Sequence, residues 1–364
     1  MASTLEPRRA PIRSERPTVT DEEQGEDWRA QVGRDPRNRD LSTDRGRARE
    51  RGRGREAVTP KDMPARGWRD ILVRVFWATS TNRVLSTAGS VAFFALLAVF
   101  PGIAAVVSLY GLFADASTIG AHLTLLSGIL PAGVLGLVAD QVRLVVHQGN
   151  DTLGSAFAVS LALALYSANS GVVALFDALN VVYDEKEARS AVRLYATTFM
   201  FTLAGVVFSI LALAGVIVLP ILFRVFGLST ATEWLLAIGR WPVLLLTITT
   251  SLAVVYRHGP SRHDARWRWV TWGSAVAALL WLGASMLFSW YVATFDSYNR
   301  IYGSLGAGVG FMVWLWISTV IVLLGGELNA ELEHQTARDT TEGREKPLGS
   351  RGAMMADHVG EAQD

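Results

Sequence analysis

The sequence of 364 residues contains no cysteine. This absence excludes disulfide frameworks, thiolate nucleophiles and zinc or iron–sulfur sites that depend on cysteine ligands. It leaves the redox compartment open, because a chain without thiols tolerates either environment. The first 60 residues also lack the apolar core of a secretory signal, so we expect the amino terminus to stay on the side of the membrane where it is made.

Charge is scarce in the middle of the chain. Positions 88–330 contain only 11 Lys or Arg residues, whereas positions 1–87 contain 19. Half of the chain is apolar and its mean hydropathy is +0.28, although a soluble domain of this size must cover its surface with polar groups. The composition therefore argues against a single soluble enzyme domain.

Six stretches are apolar enough to cross a membrane, since about 20 helical residues span a hydrocarbon core of roughly 30 Å. We predict an all-α integral membrane protein with six transmembrane helices. The fourth stretch is the shortest and the weakest. The predicted spans are Val84–Ala114, Thr152–Phe176, Leu194–Phe223, Trp241–Tyr256, Trp269–Phe295 and Ile301–Gly326.

Basic residues are concentrated in the loops after the second and fourth spans and in both terminal segments. Such loops usually lie in the cytoplasm, so we expect both termini there in a multi-pass membrane protein. The membrane domain should cover residues 84–334. Residues 1–60, which are rich in Arg, and residues 335–364 bury too little apolar area to fold alone, and we expect both to be disordered.

The alternating arginines of residues 44–56 suggest either a nucleic-acid tail or a solvated segment that meets anionic lipid. A membrane span just downstream favours the second interpretation and disfavours nucleic acid as a partner. Residues 61–83 should form an amphipathic helix at the membrane interface. Its apolar face would contain Trp68, Ile71, Leu72, Val75 and Phe76, with Arg66, Arg69 and Arg74 between them; short surface helices are also expected in the loop 115–151.

Polar side chains on one face of the second span are the first candidate site. They either line a substrate path or hydrogen-bond to neighbouring helices, because polar groups inside a span rarely face lipid. Glu327 and Asn329 of the last span are either interfacial or paired with a basic residue such as Arg189 or Arg193. The candidates on the second span are Tyr166, Asn169, Ser170, Asp177 and Asn180.

Proline and glycine mark two further positions. Pro101 should kink or break the first span, because it removes a backbone donor. Gly303, Gly306 and Gly310 should allow another helix to approach the sixth span closely. They do not form a phosphate loop, since no strand precedes them and no Lys–Ser/Thr pair follows.

The six histidines are scattered, and only His258 and His263 lie near a carboxylate, Asp264. A hydrolytic metal site needs clustered His and carboxylate ligands, so we predict no metal, no cofactor and no catalytic residue. The surrounding basic loop, Arg257 to Arg268, is better explained as a topology signal that meets anionic headgroups.

Several motifs resemble those of the YihY family of bacterial membrane proteins, also called virulence factor BrkB-like. The resemblance covers about residues 65–334 and implies a multi-pass protein of the bacterial cytoplasmic membrane. The matching segments are Val91–Pro101 (VAFFALLAVFP), Tyr166–Val172 (YSANSGV), Ala178–Asn180 (ALN), Phe295–Gly306 (FDSYNRIYGSLG) and Gly326–Leu332 (GELNAEL).

This resemblance implies little about activity, because some family members carry an old ribonuclease BN label and others are discussed as transporters of lipids or lipopolysaccharide precursors. Our leading hypothesis is a transporter or flippase of a lipid-like or amphiphilic substrate. A non-catalytic membrane scaffold or assembly factor is the alternative, and a membrane ribonuclease is the third; homo-oligomers remain open. Substrate-path candidates are the five residues of the second span together with Tyr298, Asn299, Tyr302, Glu327 and Asn329.

Overall fold

The computed structural model describes residues 41–113, 150–225, 230–294 and 306–363, which belong to one compact unit. These ranges are helical and contain no strand beyond one isolated bridge between Ala265 and Thr341. Two helices precede the long ones: α1 (Leu41–Arg47) and α2 (Ala65–Thr81). The long helices are α3 (Val84–Phe113), α4 (Asn150–Val182), α5 (Ala191–Val225), α6 (Thr230–His258), α7 (Trp267–Thr294) and α8 (Gly306–Gln335), and a short α9 (Met354–Asp357) follows.

Each predicted span overlaps one of the six long helices. Five of them, α3, α4, α5, α7 and α8, are long and apolar enough to cross a membrane. The apolar part of α6, Pro242–His258, is shorter than these five, as the sequence indicated for the fourth span. The protein is therefore an all-α integral membrane protein.

The long helices alternate in direction and pack side by side in the order α5, α4, α3, α8, α7, α6. Their best packed region is one end of the bundle, where α4, α6 and α8 finish and α3, α5 and α7 begin. A buried apolar cluster there contains Val84, Leu179, Tyr256, Val270 and Leu323. We call this the basic end, because loops 183–190 and 259–266 lie there and carry Lys186, Arg189, Arg262 and Arg266.

Helices α7 and α8 cross closely near the basic end. A Cβ atom on Gly273 would lie 2.2 Å from the carbonyl oxygen of Gly325, so only glycine fits this crossing. The Asn329 side chain links α8 to α7 at this crossing. It accepts a hydrogen bond from the Gly273 N–H (2.8 Å) and donates one to the Val270 carbonyl (3.0 Å). Asn329 is thus a packing residue in this structure.

The glycines and the proline highlighted by the sequence lie elsewhere. Gly303 is outside the described residues, Gly306 begins α8, and Gly310 is buried one turn later. The close approach predicted for this trio stays a prediction. Pro101 lies inside α3, which continues past it to Phe113, so the alternative of a break at Pro101 is wrong.

The terminal segments differ from the expected disorder. Residues 41–62 and 336–363 pack on the basic end, whereas residues 1–40 lie outside the described part of the chain. The guanidinium of Arg55 is buried and donates to the carbonyls of Gln335 (3.0 Å) and Gly360 (2.7 Å). His358 Nδ1 lies 2.7 Å from an Asp44 carboxylate oxygen. Pairing of polar groups therefore contributes to holding these segments on the bundle, together with buried apolar side chains such as Ala57 and Val359.

A fully buried ion pair joins loop 259–266 to α8. Both terminal nitrogens of Arg262 donate to the Glu333 carboxylate at 2.9 Å, and neither side chain is exposed to solvent. The guanidinium also stacks 4.1 Å above the Tyr183 ring, and the Thr340 hydroxyl donates to Glu333 at 2.9 Å. Burial lowers the pKa of Arg262, but the Glu333 carboxylate outweighs this and raises it above its ordinary value.

We expect Arg262→Met to lower the free energy of unfolding by roughly 3 to 5 kcal/mol, because it leaves the Glu333 charge buried without its counterion. The double variant Arg262→Met/Glu333→Leu should recover part of this loss. Thermal unfolding in detergent would measure both. As a control, Arg338→Met disrupts the exposed pair with Glu345 (3.7 Å) and should cost less than about 1 kcal/mol. Equal destabilisation by the two Arg→Met variants would contradict the structural role of the buried pair.

Candidate functional site

The predicted polar face of α4 divides in the structure. Tyr166 is 73% exposed and Asp177 is also exposed, on the outside of the bundle. Eleven residues separate Tyr166 from Asp177 and from Ser155, and this spacing is close to three helical turns. Ser155, Tyr166 and Asp177 therefore form one line along α4, which we call the outer polar stripe.

Two candidates lie beside this stripe and are half-buried. Asn169 faces α5, where its side-chain oxygen lies 3.4 Å from the Thr202 hydroxyl, which donates to the Thr198 carbonyl of its own helix at 2.9 Å. The Ser170 hydroxyl donates to the Tyr166 carbonyl of its own helix at 2.9 Å. Asn169 therefore lies at the contact between α4 and α5, whereas Ser170 is satisfied locally.

Asn180 is buried at the basic end, where it joins two loops. Its side-chain oxygen accepts from the Ser261 N–H (2.7 Å), and its amide nitrogen donates to Glu187 (3.0 Å). Glu187 also binds the Arg189 guanidinium at 2.7 and 2.8 Å. Hydrogen bonds from Arg189 and Asn180 lower the pKa of Glu187 to about 2.

Arg189 connects this group to the end of α6. Its guanidinium donates to the carbonyls of His258 (3.3 Å) and Gly259 (2.8 Å), and it lies 5.3 Å from the centre of the Phe176 ring. Asp177 is the residue of the outer polar stripe that lies nearest the basic end, and it interacts electrostatically with Glu187 and Arg189. The stripe therefore ends beside a charged, hydrogen-bonded loop.

Glu327 is completely buried in α8. One carboxylate oxygen accepts a hydrogen bond from the Asn82 side chain at 2.6 Å, and the other has no hydrogen-bond partner among the described residues. Asn82 lies between α2 and α3. Arg189, a partner suggested by the sequence, binds Glu187 instead, so pairing of Glu327 with Arg189 is wrong.

Arg74 of α2 is a polar group that the sequence misplaced. It is buried and donates to the Glu331 carboxylate (2.5 Å), the Gln335 side chain (2.6 Å) and the Glu361 carbonyl (2.8 Å). Glu327, Glu331 and Gln335 are four residues apart and share one face of α8. Such a row at the end of an apolar helix is a sequence signal for a polar partner helix, and α2 is that partner.

The remaining candidates add no further group. Tyr298, Asn299 and Tyr302 lie outside the described residues. Within the described ranges, no group of three or more His, Asp or Glu side chains could hold a metal ion.

The basic loop is largely occupied by contacts within the chain. Arg257 binds Glu342 of the tail (2.7 Å) and stacks 4.5 Å from the Trp267 ring, and Arg266 donates to the Thr341 carbonyl (2.8 Å).

Comparisons with known proteins agree on one family. Residues 75–349 match the family model described as "Virulence factor BrkB". The ribonuclease-like protein YfkH of Bacillus subtilis is 31% identical over 256 residues, which cover 68% of this chain and 89% of that protein.

Two relatives are named only as UPF0761 membrane proteins. The one from Idiomarina loihiensis is 29% identical and covers 50% of this chain and 61% of the relative. The one from Aromatoleum aromaticum is 27% identical, with 71% and 64% covered. The chain thus spans less than two thirds of these two proteins. No solved structure matches.

The Glu187 contacts predict a pH dependence of stability. The folded-state pKa of Glu187, about 2, lies below the ordinary value of 4.5, so its ionised form stabilises the fold above pH 4.5. This contribution should disappear as the pH falls from 4.5 to 2. Because the side chain is partly exposed, we expect Glu187→Gln to lose only roughly 1 to 2 kcal/mol at pH 7. A difference between wild type and variant that is the same at pH 7 and pH 3 would contradict this role.

Proposed function

The chain belongs to the virulence factor BrkB family of bacterial membrane proteins, and on this premise we propose that it moves a lipid-like or amphiphilic substrate across the membrane. The observation that carries the proposal is the outer polar stripe of α4. Charged and hydroxyl side chains at the lipid-facing surface of a span are costly, and they are usually kept for a substrate or ion pathway.

The dimensions of the stripe fit such a path. Ser155 and Asp177 are 22 residues apart, which corresponds to about 33 Å of helix, close to the thickness of the hydrocarbon core. Tyr166 lies halfway between them. A polar headgroup could therefore follow the stripe from one side of the membrane to the other, while its apolar chains stay in the surrounding lipid.

The side chains around the stripe support a path in which the headgroup follows the stripe and the acyl chains stay in the lipid. Leu163 on α4 and Phe199 and Met200 on α5 are exposed, and these two helices pack against each other. Their side chains offer acyl chains an apolar surface beside the polar stripe. At the basic end the stripe reaches Asp177, which lies near Glu187 and Arg189, and a zwitterionic or charged headgroup would meet charges of both signs there.

A second candidate function, a scaffold or assembly factor, draws on the same stripe. Tyr166 and Asp177 could be buried against another copy of the chain instead of lining a path, since interhelical hydrogen bonds also satisfy polar groups in membranes. A ribonuclease-like name belongs to the Bacillus subtilis relative, and no described residue of this chain favours that activity.

Movement of a fluorescent phospholipid between the leaflets of liposomes tests the transport proposal. Reconstituted protein should accelerate this movement, and Asp177→Asn and Tyr166→Leu should each slow it by about tenfold, since one lost polar contact is worth about 1 to 3 kcal/mol. Met286→Ala, an exposed position on α7, is the control and should leave the rate unchanged. Wild-type protein that moves no more lipid than empty liposomes, or stripe variants that act as the control does, would reject the proposal.

The oligomeric mass of the protein in detergent distinguishes the scaffold hypothesis from the transport hypothesis. If the stripe is an interface between copies, Asp177→Asn and Tyr166→Leu should convert an oligomer to a smaller species in light scattering. If it is a path, we expect the mass to stay the same while lipid movement falls.

A further inference from the structure

Helix α2 presents an unusual outer face. Its first half exposes Arg66 and Arg69, and its second half exposes Leu72 (57%), Phe76 (71%) and Trp77 (63%). At 100° per residue these five side chains fall within about 140° of one another on the helix. The outer face is therefore basic at the start of α2 and apolar at its end.

The inner face of α2 explains this orientation. Asp70, Ile71 and Arg74 are buried, with Arg74 bound to Glu331 and Ile71 in an apolar cluster with Trp269. The sequence had placed Ile71 and Phe76 on one apolar face, and the structure separates them. Because charged side chains bind the inner face to α8, exposed apolar side chains are left outside.

A cavity of about 350 Å³ lies at the basic half of this face. It is lined by Arg53, Arg66, Arg69, Asp70 and Gln363. Arg53 is held by Asp70 through two contacts of 3.0 Å. The guanidinium groups of Arg66 and Arg69, by contrast, form no hydrogen bond or ion pair with another described residue, and both residues are exposed. The cavity therefore offers two guanidinium groups that are available to an anion.

The apolar half of the face continues toward the membrane. Helix α2 is joined to the span α3 through Asn82 and Arg83, and α3 exposes Leu85 (53%) and Phe93 (55%). Phe76 lies about 10 Å along the helix axis from Arg69.

We propose that this face binds an anionic phospholipid of the adjacent leaflet. Arg66 and Arg69 would hold the lipid phosphate, since guanidinium groups bind phosphate through paired, charge-assisted hydrogen bonds. The acyl chains would lie along Leu72, Phe76 and Trp77, and tryptophan favours this layer of the membrane.

Two observations favour a lipid over other occupants of this face. The basic and apolar parts are continuous with each other and with the lipid-facing surface of α3. The arginines of the loop that the sequence had assigned to headgroups, Arg257, Arg262 and Arg266, are already bound within the chain. The proposal does not depend on transport, because it concerns binding alone.

Lipid binding to the full-length protein in detergent tests the site. Native mass spectrometry would compare phosphatidylglycerol with phosphatidylcholine carrying the same acyl chains. We expect phosphatidylglycerol to bind more tightly, and Arg66→Gln/Arg69→Gln to weaken its binding by about thirtyfold, because each of the two basic residues near an anionic headgroup contributes about 1 kcal/mol. Arg49→Gln/Arg51→Gln removes the same charge at exposed positions outside the cavity and should change the affinity by less than about twofold.

Further arms identify the ligand. Phe76→Ser should weaken phosphatidylglycerol binding, and soluble glycerol phosphate should bind far more weakly than the lipid. Arg69→Lys keeps the charge but loses the paired contact, so it should weaken phosphatidylglycerol binding to an intermediate degree. All variants should keep the wild-type unfolding temperature, since these side chains are exposed. Equal losses in the two double variants, equal binding of both lipids, or glycerol phosphate binding as tightly as lipid would overturn the proposal.

Discussion

A guanidinium and a carboxylate that are both shielded from water determine how the basic end is built. Removing two charges from solvent is costly unless they meet each other in good geometry, and Arg262 and Glu333 do so through two contacts of 2.9 Å. Their shielding requires atoms on every side. The Tyr183 ring covers one face of the guanidinium and Thr340, from the segment after α8, binds the carboxylate. The ends of α4, α6 and α8 and the following segment are therefore held together at one point.

The same requirement orients α2. The row Glu327, Glu331 and Gln335 on α8 needs polar partners, and Asn82 and Arg74 provide them. Once Arg74 faces α8, the opposite side of α2 must face outward, with its arginines and its aromatic side chains exposed. The lipid-facing features of the molecule, the α2 face and the outer polar stripe, thus lie outside a core in which Arg74 binds Glu331 and Gln335.

The sequence predicted the long helices well, because uninterrupted apolar length is a local signal. It placed the end of the second span at Phe176, whereas α4 continues to Val182, since the Asp177 side chain points outward and does not interrupt the helix. The terminal segments were harder to predict. Arg55 contacts Gly360 across 305 positions and His358 contacts Asp44 across 314, and no local pattern reveals such pairs.

The candidate site shows the same division. The spacing of Tyr166 and Asp177 was visible in the sequence, because helical periodicity is regular. Which of the neighbouring polar residues face outward depends on where α5 and loop 259–266 pack, so the burial of Asn180 could not be foreseen. The surroundings of Glu327 could not be foreseen either. One of its carboxylate oxygens binds Asn82, which belongs to another part of the chain, and the other has no partner among the described residues.

Hydrogen–deuterium exchange on the full-length protein in lipid nanodiscs tests this account most directly. If buried polar pairing holds the terminal segments on the bundle, the hydrogen-bonded backbone amides of residues 336–363 and 41–62 should be protected to a degree comparable with loop 259–266. Arg262→Met should reduce the protection of all three together. Exchange of residues 336–363 at the rate of an unstructured peptide in the wild-type protein would contradict the account.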